Sequence, residues 1–212
     1  TDPAAVVDAV VAAAAGHVPA PPPWLPPLPA VLARRDVPEG ALGWCDDPDR
    51  QRRVALHWDA ADGGVLVAGA PGSGVTTTLQ TLTAHAAASG HAVHVVHDPR
   101  DRGWAPLAVH PGVVAVPFDD HERVARLVHR LTDAGDWCPA GRSSVVVIDD
   151  VDLVRRALDD RDSATAYEQL DAVLSGARHT MVLGTAHPAA VPSAAVARCT
   201  HRWALHLADR HD

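Results

Sequence analysis

The sequence has no lysine and no asparagine, so all 18 of its Lys+Arg residues are arginine, and Ile148 is its single isoleucine. Any role that lysine commonly fills must therefore fall to arginine, to a backbone amide or to another chain. Glutamate is also scarce, with Glu39, Glu122 and Glu168 the only examples, which turns general-base chemistry toward aspartate. The three cysteines, Cys45, Cys138 and Cys199, are widely spaced and form no C-x-x-C pair. That pattern excludes a disulfide framework and a thiolate zinc site, and it fits a reducing compartment. One Phe and one Tyr beside six Trp leave little for a base-stacking platform. No apolar run approaches the roughly 20 residues that span a bilayer, so a soluble chain is expected. A net charge of −8 is poorly suited to holding nucleic acid by phosphate neutralisation, and the best basic run, Arg50-Gln51-Arg52-Arg53, is offset by Asp46, Asp47 and Asp49.

What is present is enough for one α/β domain: 212 residues, 47% hydrophobic and 21% charged. The chain begins at Thr1 with no secretory leader and reads as a piece of a longer protein. Val6, Val7, Val10 and Val11 recur at helical spacing between Ala4 and Ala15, which predicts a short amphipathic helix packed on a partner surface. The proline-rich run from Pro19 to Pro29 favours an extended strap, with Trp24, Leu25 and Leu28 as its anchors. From Val54 onward apolar and amphipathic stretches alternate. Strands are predicted near Val54–Trp58, Gly64–Ala68, Ala92–His97, Val113–Phe118, Val145–Ile148, Met181–Thr185 and Trp203–Leu207, and helices over Thr76–Ser89, Asp120–Leu131 and Ala164–Leu174. Uninterrupted β-branched runs such as Val145-Val146-Val147-Ile148 mark strands covered on both faces, hence a mostly parallel central sheet flanked by helices. Fourteen histidines invite a metal reading, but strand alternation turns His94 away from His91 and His97, and no zinc or haem site is expected.

The strand Val65-Leu66-Val67-Ala68 runs into Gly69-Ala70-Pro71-Gly72-Ser73-Gly74-Val75-Thr76-Thr77, and a helix follows. That is the strand–loop–helix context of a phosphate-binding P-loop, whose glycines let backbone amides converge at a helix N-terminus. Gly69, Gly72, Ser73, Gly74, Val75, Thr76 and Thr77 are the candidate cofactor-binding residues. Val75 occupies the position where G-x-x-x-x-G-K-[ST] requires lysine. Further on, Val145-Val146-Val147-Ile148-Asp149-Asp150 is a buried strand ending in two carboxylates, as a Walker B motif does. Thr76 and Asp149 are the candidate Mg2+ ligands, and Asp150 stands where a catalytic glutamate usually sits. Thr185, at the end of Met181-Val182-Leu183-Gly184-Thr185, can read a γ-phosphate or simply cap the next turn.

These residues resemble the FtsK/SpoIIIE-type motor ATPases, and within them the multi-ATPase EccC proteins of type VII secretion in actinobacteria. Trp24-Leu25-Pro26-Pro27-Leu28-Pro29 is similar to the W-L-P-P-L segment ahead of EccC modules, and Asp46-Asp47-Pro48-Asp49-Arg50-Gln51 to their D-x-P-x-x-Q. His97-Asp98-Pro99-Arg100 resembles the family's D-P-K with arginine for lysine, and Asp149-Asp150-Val151-Asp152-Leu153-Val154 resembles the D-D-x-D-L-V of degenerate C-terminal modules. Thr185-Ala186-His187-Pro188 matches T-Q-R-P at its ends only, and Leu205-His206-Leu207-Ala208-Asp209 is similar to L-x-L-A-D. The resemblance implies a RecA-like P-loop fold, with residues 1–53 forming a helix and strap and residues 54–212 the ATPase-like core. Two departures from the family, Val75 in place of the lysine and the Arg-bearing stretch before Walker B reduced to roughly Thr132–Ser144, point instead to weak or absent binding of ATP and Mg2+ with little hydrolysis. The implied partners are other ATPase modules of the same or neighbouring chains and small helical-hairpin secretion substrates. DNA is not expected among them. The domain would be cytoplasmic, attached to the inner face of the cell membrane through its full-length parent. The competing expectation is an active DNA translocase of the same class.

Overall fold

The computed structural model describes residues 2–16, 25–29, 31–133, 144–159 and 164–206; Trp24, Cys138 and residues 207–209 of the expected terminal strand lie outside them. The chain divides into two compact units, one of Thr1–Pro38 with Gly43–Leu56, the other of Glu39–Leu42 with His57–Asp212.

In the first unit, α1 (Pro3–Ala13) starts where the Asp2 carboxylate accepts the Ala4 N–H at 3.0 Å. The helix forms as its spacing predicts, but none of its residues is buried, and Val6, Val7, Val10 and Val11 are all exposed. The strand expected near Val54–Trp58 does not open the parallel series. It forms β2 (Arg52–Leu56), antiparallel to β1 (Gly43–Asp47), with Pro48-Asp49-Arg50 turning the chain and Gln51 in the left-handed region at φ 49°. Sequence reading missed β1 because its aspartates look like loop. Directly across the hairpin, Arg53 Nε lies 3.3 Å from Asp46 and Arg52 Nε 3.0 Å from Asp47. Cross-strand pairs of opposite charge thus support a polar ribbon. The strap is held differently from expectation. Leu25 and Leu28 are exposed, while Arg53 Nη2 donates to the carbonyl oxygens of Pro26 and Pro27, the latter at 3.1 Å.

The second unit is a six-stranded sheet in the order β5-β4-β6-β7-β3-β8, every pairing parallel. Its strands are β3 (Gly64–Ala68), β4 (Ala92–His97), β5 (Val113–Pro117), β6 (Ser144–Ile148), β7 (Thr180–Thr185) and β8 (Cys199–Ala204). The last begins four residues before the expected Trp203, because Cys199 is buried and pairs with Gly64. The helices are α2 (Val75–Ala88), α3 (Ala105–Ala108), α4 (His121–Thr132), α5 (Val151–Asp159), α6 (Ala164–Ser175) and α7 (Ser193–Arg198). Alternation divides the core in two. Val65, Val67, Val93, Val95, Val145 and Val147 meet α2, Trp58 and Trp104, whereas Leu66, Val96, Val146 and Ile148 meet α4, α5 and α6. Both faces are covered, as the β-branched runs require.

His94 sits on this second face at 2% exposure, and its pKa is pushed down to about 4, mainly by burial and also by nearby His179. It stays neutral in the fold while the unfolded chain protonates near 6.5. The unfolded state therefore binds more protons between those values, and stability present above pH 6.5 drains away as pH falls toward 4. Urea titrations should show a loss of about 3 kcal/mol across that window, with His179, shifted the same way, adding to it. His94→Leu should flatten much of the slope.

Candidate functional site

The order of the sheet places β7 between β3 and β6, so the loop after β3 and the carboxylates after β6 sit on either side of one strand end. Loops at the carboxyl ends of parallel strands are where such sheets bind ligands. Here they enclose a cavity of about 350 Å3 whose lining includes Gly72, Gly74, Thr76, Asp149 and Thr185.

The loop has the backbone that a phosphate cradle needs. Gly72 and Gly74 adopt φ 82° and 101°, a region that strains residues with a Cβ, and Gly74 leads directly into the 14-residue α2. The uncapped amides at that helix start carry the positive end of the helix dipole. Gly69, Val75 and Thr77 also line the cavity, whereas Ser73 turns inward. Its N–H donates to Ala70 O at 3.0 Å and its hydroxyl is buried against Gly69, so it serves the loop's shape. Val75 packs partly on the apolar core beneath α2. A Cβ on Gly184 of β7 would stand 2.7 Å from Leu79 Cδ1 and 3.0 Å from Val75 Cγ1. Glycine there lets the helix start settle onto the sheet.

The pair expected to hold Mg2+ is assembled. Thr76 Oγ1 donates to Asp149 Oδ1 at 2.9 Å, and Asp149 is only 5% exposed. Its other oxygen accepts the indole N–H of Trp104 at 3.2 Å. Burial raises the Asp149 pKa; the Thr76 and Trp104 hydrogen bonds oppose that shift, and Asp101 and Asp150 add to it. A hydroxyl and a carboxylate at a phosphate loop are the hard oxygen donors that Mg2+ prefers, so the residues present fit that ion. Among the described lining residues, though, none of the loop's own side chains carries a positive charge.

The two residues singled out for chemistry have structural duties as well. Asp150 lines the cavity with a left-handed backbone at φ 72°, and its Oδ1 accepts the Leu153 N–H at 3.1 Å as the cap of α5. That conformation costs a non-glycine residue about 1–2 kcal/mol, offset here by the cap. The Thr185 hydroxyl accepts the His187 N–H at 2.9 Å, the turn-capping alternative, yet Thr185 also lines the cavity and retains a hydroxyl proton to donate.

Sequence reading placed three participants outside the site, although it singled out Asp98-Pro99-Arg100 as resembling the family's D-P-K. Trp104 is 1% exposed and stacks on His97 with centroids 5.8 Å apart; no spacing ties it to a carboxylate 45 residues away. Asp98 and Arg100 line the cavity from the end of β4. The adjacency of β4 to β6 was the available signal, since it brings the Asp98-Pro99-Arg100 segment to the same edge. Arg100 donates to Asp98 and holds its carboxyl below the usual carboxylate range.

No family model matches this chain, and no curated protein matches it in sequence. Solved structures do share its fold. The cytoplasmic domain of the Thermomonospora curvata type VII secretion ATPase EccC aligns at a TM-score of 0.62 and 23% identity, over 96% of this chain and 30% of its own. EssC (ATPases 2 and 3) from Geobacillus thermodenitrificans aligns at 0.62 and 14% identity, over 87% of this chain and 41% of its own. Thermomonospora curvata EccC (ATPases 2 and 3) in complex with a signal sequence peptide aligns at 0.61 and 19% identity, over 82% of this chain and 37% of its own. The chain has a P-loop ATPase fold that resembles those of the EccC and EssC ATPase domains, and it spans well under half the length of these proteins.

Trp104→Phe removes one of the two donors to a buried charge and should lower stability in urea by about 1–3 kcal/mol at neutral pH. The deficit should narrow as pH falls and Asp149 takes up a proton. It should also be smaller in an Asp149→Asn background, where the acceptor carries no charge.

Proposed function

We propose that this chain is an ATPase-type module of a type VII protein secretion motor, that it binds Mg·ATP weakly and hydrolyses it slowly, and that its main work is structural, regulatory and substrate-binding alongside other such modules. The observation that carries this reading is the half-kept site: the Thr76–Asp149 pair and the glycine cradle are in place, while Val75 stands where a lysine would reach the β- and γ-phosphates. When bound, Mg2+ neutralises and orients the phosphate oxygens of a nucleotide. The chain's own part is to offer loop amides to the phosphates, to place the Thr76 hydroxyl and Asp149 carboxylate beside them, and to keep Thr185 on the cavity wall.

Slow hydrolysis follows from Asp150. It is one methylene shorter than glutamate, and one of its oxygens already caps α5, which weakens its ability to take a proton from an attacking water. The proposed setting, a cytoplasmic module among similar ones and attached to the membrane through a longer parent, rests on the fold shared with EccC and EssC. Among the described residues no helix is long and apolar enough to cross a membrane. A protein cargo suits the chain's charge of −8 better than a DNA track. One fold relative was solved with a signal sequence peptide, which favours the same class of cargo here.

Losing one charged donor to phosphate lowers affinity on the order of 10–100-fold, so calorimetry should find micromolar to millimolar Mg·ATP binding. Val75→Lys should recover most of that factor while turnover stays low. Nanomolar binding by the wild-type chain, or no gain in Val75→Lys with unchanged thermal stability, would count against the reading. Tight, salt-sensitive duplex binding in fluorescence anisotropy would favour a DNA translocase instead.

A further inference from the structure

The cavity at the glycine loop is lined by three carboxylates, Asp98, Asp149 and Asp150, and among the described residues by one cation, Arg100. A phosphate entering it meets more negative charge than positive, so the disposition of that single guanidinium weighs heavily on affinity. Arg100 belongs to the segment after β4, not to the loop. Its side chain is 81% exposed, which gives it room to move, while that of Asp98 is 22% exposed. Asp98 holds it side-on: Nε donates to the two carboxylate oxygens at 2.9 and 3.0 Å, and Nη2 donates to Oδ2. Asp98 Oδ1 is fixed in turn by the backbone N–H of Arg100 at 2.8 Å, so the carboxylate keeps its place when the guanidinium leaves.

An ion pair this exposed contributes little in water, because solvent competes for both partners. A phosphate offers the same fork two oxygens with greater charge, and arginine suits that geometry better than lysine does. Resting on the nucleotide reading above, we infer that Arg100 is the phosphate-binding cation of this site. Its guanidinium exchanges Asp98 for phosphate oxygens and supplies, from the end of β4, the charge that Val75 cannot supply from the loop. Asp98 is then a built-in competitor that sets how tightly the site binds.

The test is calorimetric titration of Mg·ATP and Mg·ADP into the full chain and its variants at fixed ionic strength. Arg100→Ala should weaken binding on the order of 10–100-fold, and Arg100→Lys by less, since a point charge replaces a fork. Asp98→Asn should tighten binding by about 2–5-fold by removing the competitor. Because Arg100→Ala also unmasks the charge of Asp98, the double variant Asp98→Asn/Arg100→Ala separates the two effects. Direct contact keeps it well below wild type, whereas a return to wild-type affinity would mean that Arg100 only neutralises Asp98, and would overturn the inference. In a Val75→Lys background the Arg100→Ala loss should shrink, because the lysine shares the contact. Equal affinity of wild type and Arg100→Ala, or weaker binding by Asp98→Asn, removes the role of Arg100 and leaves the nucleotide reading standing. Absence of binding by wild type, Asp98→Asn and Val75→Lys alike removes the nucleotide reading itself, and the role of Arg100 with it.

Discussion

A carboxylate buried to 5% exposure needs partners, and the way Asp149 obtains its two governs the whole carboxyl edge of the sheet. An unpaired charge at that depth would be strongly unfavourable. One oxygen is satisfied by Thr76 at the start of α2 and the other by Trp104, so two segments far apart in sequence must converge on the end of β6. Gly184 makes the first convergence sterically feasible by leaving room on β7 for Val75 and Leu79. The stack of Trp104 on His97 supports the second. The cavity is the space left between these fixed points.

That arrangement separates two tasks which a complete P-loop performs together. The pair proposed to face a metal depends on the burial of Asp149 and its bond to Thr76, and the fold's stability is tied to it. In a complete P-loop the charge comes from an extended cation at the position of Val75, and nothing in the packing here requires one. Valine there joins the apolar core beneath α2 and leaves the strand–loop–helix turn undisturbed. Residue 75 can therefore change without altering the shape of the loop. This is why fold and catalytic competence have to be argued from different residues.

Most of the sheet was legible because β-branched runs buried on both faces have few other solutions: β3, β4, β5, β6 and β7 lie close to where those runs place them. The loop and the Asp149 strand were legible for the same reason, being tied to strand ends. What escaped were features set by partners and not by local pattern. The hairpin strand β1 carries aspartates that become strand residues only because Arg52 and Arg53 stand opposite. The short α5 starts on a left-handed Asp150, which the Asp149-Asp150 pair disguises as purely chemical. The role of Trp104 depends on a contact across 45 positions and leaves no periodic trace. The apolar face of α1 was read correctly as a helix, yet no surface in the described residues covers it.

The grip of Arg53 on the strap is of an unusual kind, because it is made to the carbonyl oxygens of Pro26 and Pro27 and not to any side chain. Proline carbonyls in an extended segment have no amide of their own turn to bond, so they are standing acceptors. A clamp that reads backbone oxygen is indifferent to what projects from the chain. It specifies a path, and it leaves the side chains of Leu25 and Leu28, both exposed, out of the tether itself.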